Sequence, residues 1–228
     1  MPLFRDRREA GRALAEEIQP LMKGRQPLVL ALPRGGVPVG FEIAQALEAE
    51  LDVFLVRKLG MPGEEELAIG AIASGGVRVL NRDLIRYLRV SDGLIEQLTA
   101  REQIELEHRE HLYRQDRPAI PVEGRTIILV DDGLATGASM MAAARALRPQ
   151  GATRIVVAVP VAARQTCDEL RNDADEVICL ATPHPFGAVG LWYEDFSQTS
   201  DEDVRNLLEE AARQRRRAQP SASSVAGV

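Results

Sequence analysis

Residues 126–139, Thr-Ile-Ile-Leu-Val-Asp-Asp-Gly-Leu-Ala-Thr-Gly-Ala-Ser, run an unbroken apolar segment directly into two carboxylates, a small-residue turn and an alanine-rich helical stretch. Five successive apolar or β-branched residues are the pattern of a strand buried on both faces, which belongs in a parallel sheet. The helix that follows begins at a turn of Thr136, Gly137, Ala138 and Ser139. The first N–H groups of such a helix have no intrahelical partner and carry the positive end of its dipole, so they form an anion site. Gly137 allows a close backbone approach, Thr136 and Ser139 add hydroxyl donors, and Ala135 to Ser139 together read as a phosphate cradle. Asp131 and Asp132 lie where the strand ends, the rim on which ligands of open parallel sheets bind. Two carboxylates beside a phosphate need hydroxyls or a metal as partners, and a ribose 5-phosphate meets both demands.

The same residues resemble the PRPP-binding motif of type I phosphoribosyltransferases. The resemblance implies that Asp131 and Asp132 hold the ribose hydroxyls and that the loop from Ala135 to Ser139 takes the 5-phosphate. Pro33-Arg34-Gly35-Gly36, at an earlier strand-to-helix junction, resembles the pyrophosphate loop of that family, with Arg34 as a charged fork and Gly35 and Gly36 exposing N–H groups. Arg57 and Lys58, read as standing at the end of the second strand, are further cations for the leaving group. The catalytic set is therefore Arg34, Lys58, Asp131 and Asp132. The expected cofactor is Mg²⁺, held by the pyrophosphate and ribose oxygens of PRPP with few direct protein ligands, Asp131 and Asp132 being the available carboxylates.

The rest of the chain fits an α/β fold, a doubly wound, mainly parallel five-stranded sheet with a β-hairpin lid and a helical insertion. Residues 4–22 read as an amphipathic helix whose Arg5-Asp6-Arg7-Arg8 run is a solvated face. Strands are expected at 27–32, 51–56, 126–130, 154–160 and 176–180, with helices at 37–49, 138–147 and 162–170 between them. Residues 59–66, Leu-Gly-Met-Pro-Gly-Glu-Glu-Glu, lack a hydrophobic period and read as a mobile loop. Glu64, Glu65 and Glu66 either approach the nucleophile or are a solvated run. Segments 67–73 and 77–80 form a hairpin about Ser74-Gly75-Gly76 that would carry this lid. A helix at 91–114, capped by Ser91 or Asp92, uses Leu94, Ile95, Leu98, Ile104, Leu106 and Leu112 as its apolar set and completes an insertion over 74–120. Its His108 and His111 have no acidic or thiol complement and read as surface residues. A final helix over 201–213 closes a domain of residues 1–213, and 214–228 reads as a disordered tail.

Phe186, Trp192, Tyr193 and Phe196 crowd a loop after the last strand. They either stack a planar base or cap the core, and the inserted helices are the rival wall for the base. Cys167 and Cys179 are too few for a disulfide framework and read as buried apolar residues. A net charge of −6 argues against a nucleic-acid surface, and no apolar run reaches the roughly 20 residues that span a bilayer, so a cytoplasmic protein is expected. The implied partners are PRPP, a small nitrogen nucleophile and a second copy of the chain in a homodimer, with neither nucleic acid nor membrane.

The nucleophile stays open. Relatives acting on 6-oxopurines carry an acid where this chain has Ala135. The Asp-Asp-x-Leu-Ala-Thr-Gly run is closest to adenine phosphoribosyltransferases, while Pro-Arg-Gly-Gly and Arg-Lys-Leu-Gly resemble a separate group of phosphoribosyltransferase-like proteins. Some members of the family bind PRPP without turning it over, which sets a regulator of nucleotide metabolism against an enzyme.

Overall fold

The computed structural model describes residues 1–115 and 117–218. Five parallel strands form the central sheet: β1 (Leu28–Ala31), β2 (Glu50–Val53), β6 (Thr126–Val130), β7 (Arg154–Val161) and β8 (Glu176–Ala181), in the order β2-β1-β6-β7-β8. Alternate residues of a strand face opposite sides, so each apolar run feeds two cores. Val29, Ala31, Ile128 and Val130 pack with Leu14 and Ile18 of α1 (Arg7–Ile18), Phe41 and Ile43 of α2 (Gly36–Ala46) and Val204 of α7 (Asp201–Ala218). Leu28, Leu30, Ile127 and Leu129 pack with Met140 and Leu147 of α5 (Ala138–Leu147) and Leu170 of α6 (Arg164–Leu170). This is the doubly wound α/β sheet expected from the apolar runs.

The connections place the functional rim. The chain leaves β1 through α2 to β2 on one side, and leaves β6 through α5, β7 and α6 to β8 on the other. The strand order thus reverses between β1 and β6, which is where an open sheet of this kind binds its ligand. The end of β1 is tied to the end of β6 by the Leu32 N–H donating to the Val130 carbonyl at 2.8 Å.

A second sheet, β3 (Val56–Met61), β4 (Glu64–Ala73) and β5 (Val77–Leu80), is an antiparallel meander. It corrects two expectations. The second strand of the main sheet ends at Val53, so Arg57 and Lys58 belong to β3 and not to the rim end of β2. The stretch 59–66 is a paired hairpin, Met61 facing Glu64 across Pro62–Gly63, and not a loop without partners. Glycines and a proline had signalled flexibility; they serve a tight turn and a close strand contact, with Gly60 pressed against the backbone of Glu65. The side chain of Glu66 lies outside the described residues. The hairpin about residues 74–76 forms as expected, from β4 and β5.

The insertion consists of β5, α3 (Arg82–Leu88), capped by Asn81, and α4 (Asp92–Arg114), capped by Ser91. Leu98 and Leu106 of α4 are buried, but Ile104 is 70% exposed and leaves the apolar set. Arg114 anchors α4 to β2 through the buried Asp52 at 2.9 Å and the Val53 carbonyl at 2.8 Å. His108 and His111 are exposed on α4. Helix α7 continues to Ala218, into the stretch read as tail, and residues 219–228 lie outside the described residues.

Cys167 and Cys179 form a disulfide, with Cα atoms 6.8 Å apart, linking α6 to β8. They were read as unpaired apolar residues because a pair is too few for a framework. One crosslink needs only the return of α6 onto the neighbouring strand, which the sheet topology supplies. Among the described residues no helix is long and apolar enough to cross a membrane.

Candidate active site at the switch point

The loop read as a phosphate cradle begins where β6 stops. Leu134 is buried and tied into the sheet, donating to the Val161 carbonyl at 2.9 Å and accepting from the Ala163 N–H at 3.0 Å. The next carbonyl, of Ala135, accepts from the Thr166 hydroxyl at 2.6 Å. These bonds hold the loop while Ala135, Thr136, Ala138 and Ser139 stay exposed. Gly137 is the N-cap of α5 with φ of 67°, a left-handed conformation, and no side chain caps the helix there. An added Cβ on Gly137 would come within 2.5 Å of Thr166 Cγ2. The helix start is thus rigid, uncapped and open, which suits an incoming anion.

The second glycine-bearing loop lies directly against the acid pair. A Cβ on Gly36 would meet the Val130 carbonyl at 2.7 Å, and one on Gly35 would sit 2.0 Å from Asp132 Oδ2. Glycine is required here because a carboxylate and a backbone carbonyl fill the space a side chain would take. The Pro33–Arg34 peptide is cis, and Arg34 is half-buried with Nη1 3.8 Å from Asp201. Asp201 also accepts from the Tyr113 hydroxyl at 2.7 Å, and burial with that acidic partner pushes the Tyr113 pKa up to about 12.

The two acids differ in their surroundings. Asp131 Oδ1 accepts the Asp132 N–H at 2.8 Å, and burial followed by the Asp132 charge holds its carboxyl well above the usual range. Asp132 is also raised, because burial outweighs the hydrogen bond and charge of Arg7. Arg7 Nε donates to Asp132 Oδ2 at 2.7 Å, with both side chains nearly buried. Arg7 belongs to the run read as a solvated face, and its place here corrects that reading. Asp6 from the same run caps α1 by accepting the Glu9 N–H.

Tyr193 and Arg57 meet partners that the sequence did not show. Tyr193 is 4% exposed, packed against Phe4 and Phe196, and its hydroxyl donates to the Asp132 carbonyl at 2.5 Å. Its ring therefore offers no face to a base, and it braces the acid pair from beneath. Phe186 and Trp192 are half-buried against each other, with Trp192 Nε1 donating to the Phe186 carbonyl at 3.0 Å. Arg57 of β3 pairs with Glu102 of α4 at 2.8 Å. Lys58 is exposed and lines a 620 Å³ cavity between the meander and α5, together with Arg82, Asp83, Ala138 and Arg145. Ala138, in the loop-to-helix turn after β6, is one of its lining residues.

The phosphoribosyl transferase domain pattern matches residues 6–195, which include Arg7, Arg34 to Gly36, Asp131, Asp132 and the loop from Ala135 to Ser139. The chain belongs to the phosphoribosyl transferase domain family. A Mycobacterium tuberculosis protein described as "putative phosphoribosyl transferase" is 47% identical over 213 residues, covering 93% of this chain and 48% of that protein. A ribose-phosphate pyrophosphokinase of Methanopyrus kandleri is 32% identical over 147 residues, 62% of this chain and 46% of that protein. The chain thus spans about half the length of the curated relatives it matches. Among solved structures, the protein TT1426 from Thermus thermophilus is 47% identical with a TM-score of 0.83, covering 92% of this chain and 99% of that one. Family membership agrees with the resemblance carried by residues 126–139.

Proposed function

We propose that the rim between β1 and β6 binds PRPP with Mg²⁺ and that this cytoplasmic phosphoribosyltransferase-family chain passes the ribose 5-phosphate to a small nitrogen nucleophile, a nucleobase being the first class to test. The observation that carries the reading is the contact of the Gly35–Gly36 loop with the acid pair, Gly35 lying against Asp132, at the strand end that leads into the uncapped start of α5. In this reading the 5-phosphate sits on the N–H groups at Gly137 to Ser139. Asp131 takes the ribose hydroxyls, and the Gly35 N–H with Arg34 takes the pyrophosphate, the Gly36 N–H being donated to the Leu32 carbonyl at 3.1 Å. The acceptor enters from the cavity between the meander and α5, since Tyr193 is buried and that cavity adjoins the cradle.

The reaction forms a bond from nitrogen to the anomeric carbon, breaks the bond from that carbon to pyrophosphate, and releases the proton of the nucleophile. Catalysis is mostly positioning and stabilisation of the charge that develops on the leaving group. Among the described residues no cluster of three or more His, Cys, Asp or Glu could hold a metal. The carboxylates present fit an ion that takes most of its ligands from PRPP, and bound Mg²⁺ would neutralise the pyrophosphate as it departs.

Calorimetry with Mg²⁺–PRPP tests the assignment. An Asp131→Asn, Asp132→Asn double variant that binds as tightly as wild type sinks it. Pyrophosphate release measured with a panel of nucleobases and small amines then separates enzyme from regulator; binding without release across the panel favours a PRPP-binding regulator.

A further inference from the structure

We infer that Arg7 is a positioning residue of the PRPP site, acting through Asp132; the inference rests on the proposed function. The guanidinium is held on three sides. Nε donates to Asp132 Oδ2 at 2.7 Å, Nη1 donates to the Ser197 carbonyl at 2.7 Å, and the plane lies over the Phe196 ring at 3.9 Å from its centroid. A planar fork that stacks and bonds at once is a demand that lysine does not meet. Docking of α1 does not explain the arrangement. The helix packs into the α2 core through Leu14 and Ile18 and against Val161 and Tyr193 through Ala10, all three fully buried, and is capped by Asp6. All three Arg7 contacts instead face the end of β6 and the segment 193–197.

Asp132 stands at the centre of this support. Its carboxylate touches the pyrophosphate loop at Gly35, its Oδ2 is bound by Arg7, and its carbonyl is bound by the Tyr193 hydroxyl. Arg7 therefore does two things for an incoming polyphosphate. It fixes the carboxylate against Gly35, which holds the glycine loop in place beside the acid pair. It also sets a positive charge against Asp132, which eases the repulsion the acid pair would otherwise exert on pyrophosphate at close range. Asp131, which Arg7 does not touch, is left to the ribose hydroxyls, so the adjacent acids divide their work.

The test is a double-mutant cycle on Mg²⁺–PRPP affinity by calorimetry, with melting curves alongside. Arg7→Ala should weaken binding roughly ten- to a hundredfold, the scale of a charged hydrogen bond. In an Asp132→Asn background the same change should add little, because its target is already altered. Arg7→Lys keeps the charge and the stem and should recover only part of the loss, which also serves if Arg7→Ala fails to fold. Arg7→Ala or Arg7→Lys binding at the wild-type level, tighter binding on removing Arg7, or effects that simply add to Asp132→Asn each overturn the inference. A wild-type chain that does not bind PRPP removes the proposed function and this inference with it. Wild-type binding with an indifferent Arg7 variant removes the inference alone.

Discussion

Replacing Gly35 by alanine probes the contact on which the site is built. Gly35 has φ of −60° and ψ of −32°, so its backbone accepts an L side chain. On that count alone the change should stabilise by about 0.4–1 kcal/mol. The new Cβ, however, falls 2.0 Å from Asp132 Oδ2 and 2.6 Å from its Cγ. Non-bonded heavy atoms settle near 3.5 Å, so loop and carboxylate must part by about 1.5 Å. Asp132 cannot swing away freely, because Arg7 holds the same oxygen at 2.7 Å. Overpacking of this kind costs about 1–3 kcal/mol, which leaves a net destabilisation of about 1–2 kcal/mol and a melting point lower by several degrees. Binding should suffer more than stability, since both the Gly35 N–H for pyrophosphate and the acid pair are displaced. The expected loss of Mg²⁺–PRPP affinity is about ten- to a hundredfold, at about 1.4 kcal/mol per decade. Titration calorimetry beside differential scanning calorimetry measures both. An alanine variant with wild-type affinity would show that the two loops do not form one site.

Two other consequences follow from the buried charges. Asp131 is raised above its ordinary value of 3.8, so the folded state keeps protons that the unfolded chain has lost, and its contribution to stability falls as pH rises from 3.8 through the native value. Asp131→Asn should therefore be more stable than wild type at pH 7, with the advantage fading towards acid; a urea-midpoint difference independent of pH contradicts this. Asp52, 5% exposed, accepts from Arg114 and from the N–H groups of Val53 and Ile120. Asp52→Asn leaves buried Arg114 with Glu110 and the Val53 carbonyl and should cost about 3 kcal/mol in urea unfolding, against less than about 1 kcal/mol if the pair is dispensable.

What the sequence determined by itself is whatever neighbouring residues decide together. The run Thr126–Val130 is apolar at every position from Ile127 onward, which only a strand buried on both faces accepts. The cap Ser91 bonds the N–H group three residues on, a local geometry visible in one dimension. The cradle from Ala135 to Ser139 and the glycine loop at Gly35 are likewise contiguous, and their strand-to-helix setting was readable from periodicity alone. Tertiary structure decided everything that depends on which distant surfaces meet. Arg7 looked like one cation among several on a polar helix face, and only the docking of α1 brings it to Asp132, 125 residues away. Tyr193 had the composition of a stacking platform, but its hydroxyl finds a buried carbonyl at the end of β6, which turns the ring inward. Arg57 and Lys58 followed an apolar run in the sequence, but the chain leaves the main sheet after Val53, sending Arg57 to Glu102 on α4. Cys167 and Cys179 meet because α6 returns onto β8. Local pattern encodes backbone conformation and burial, whereas the partner of a charge or a ring is set by long-range packing, which no window of sequence contains.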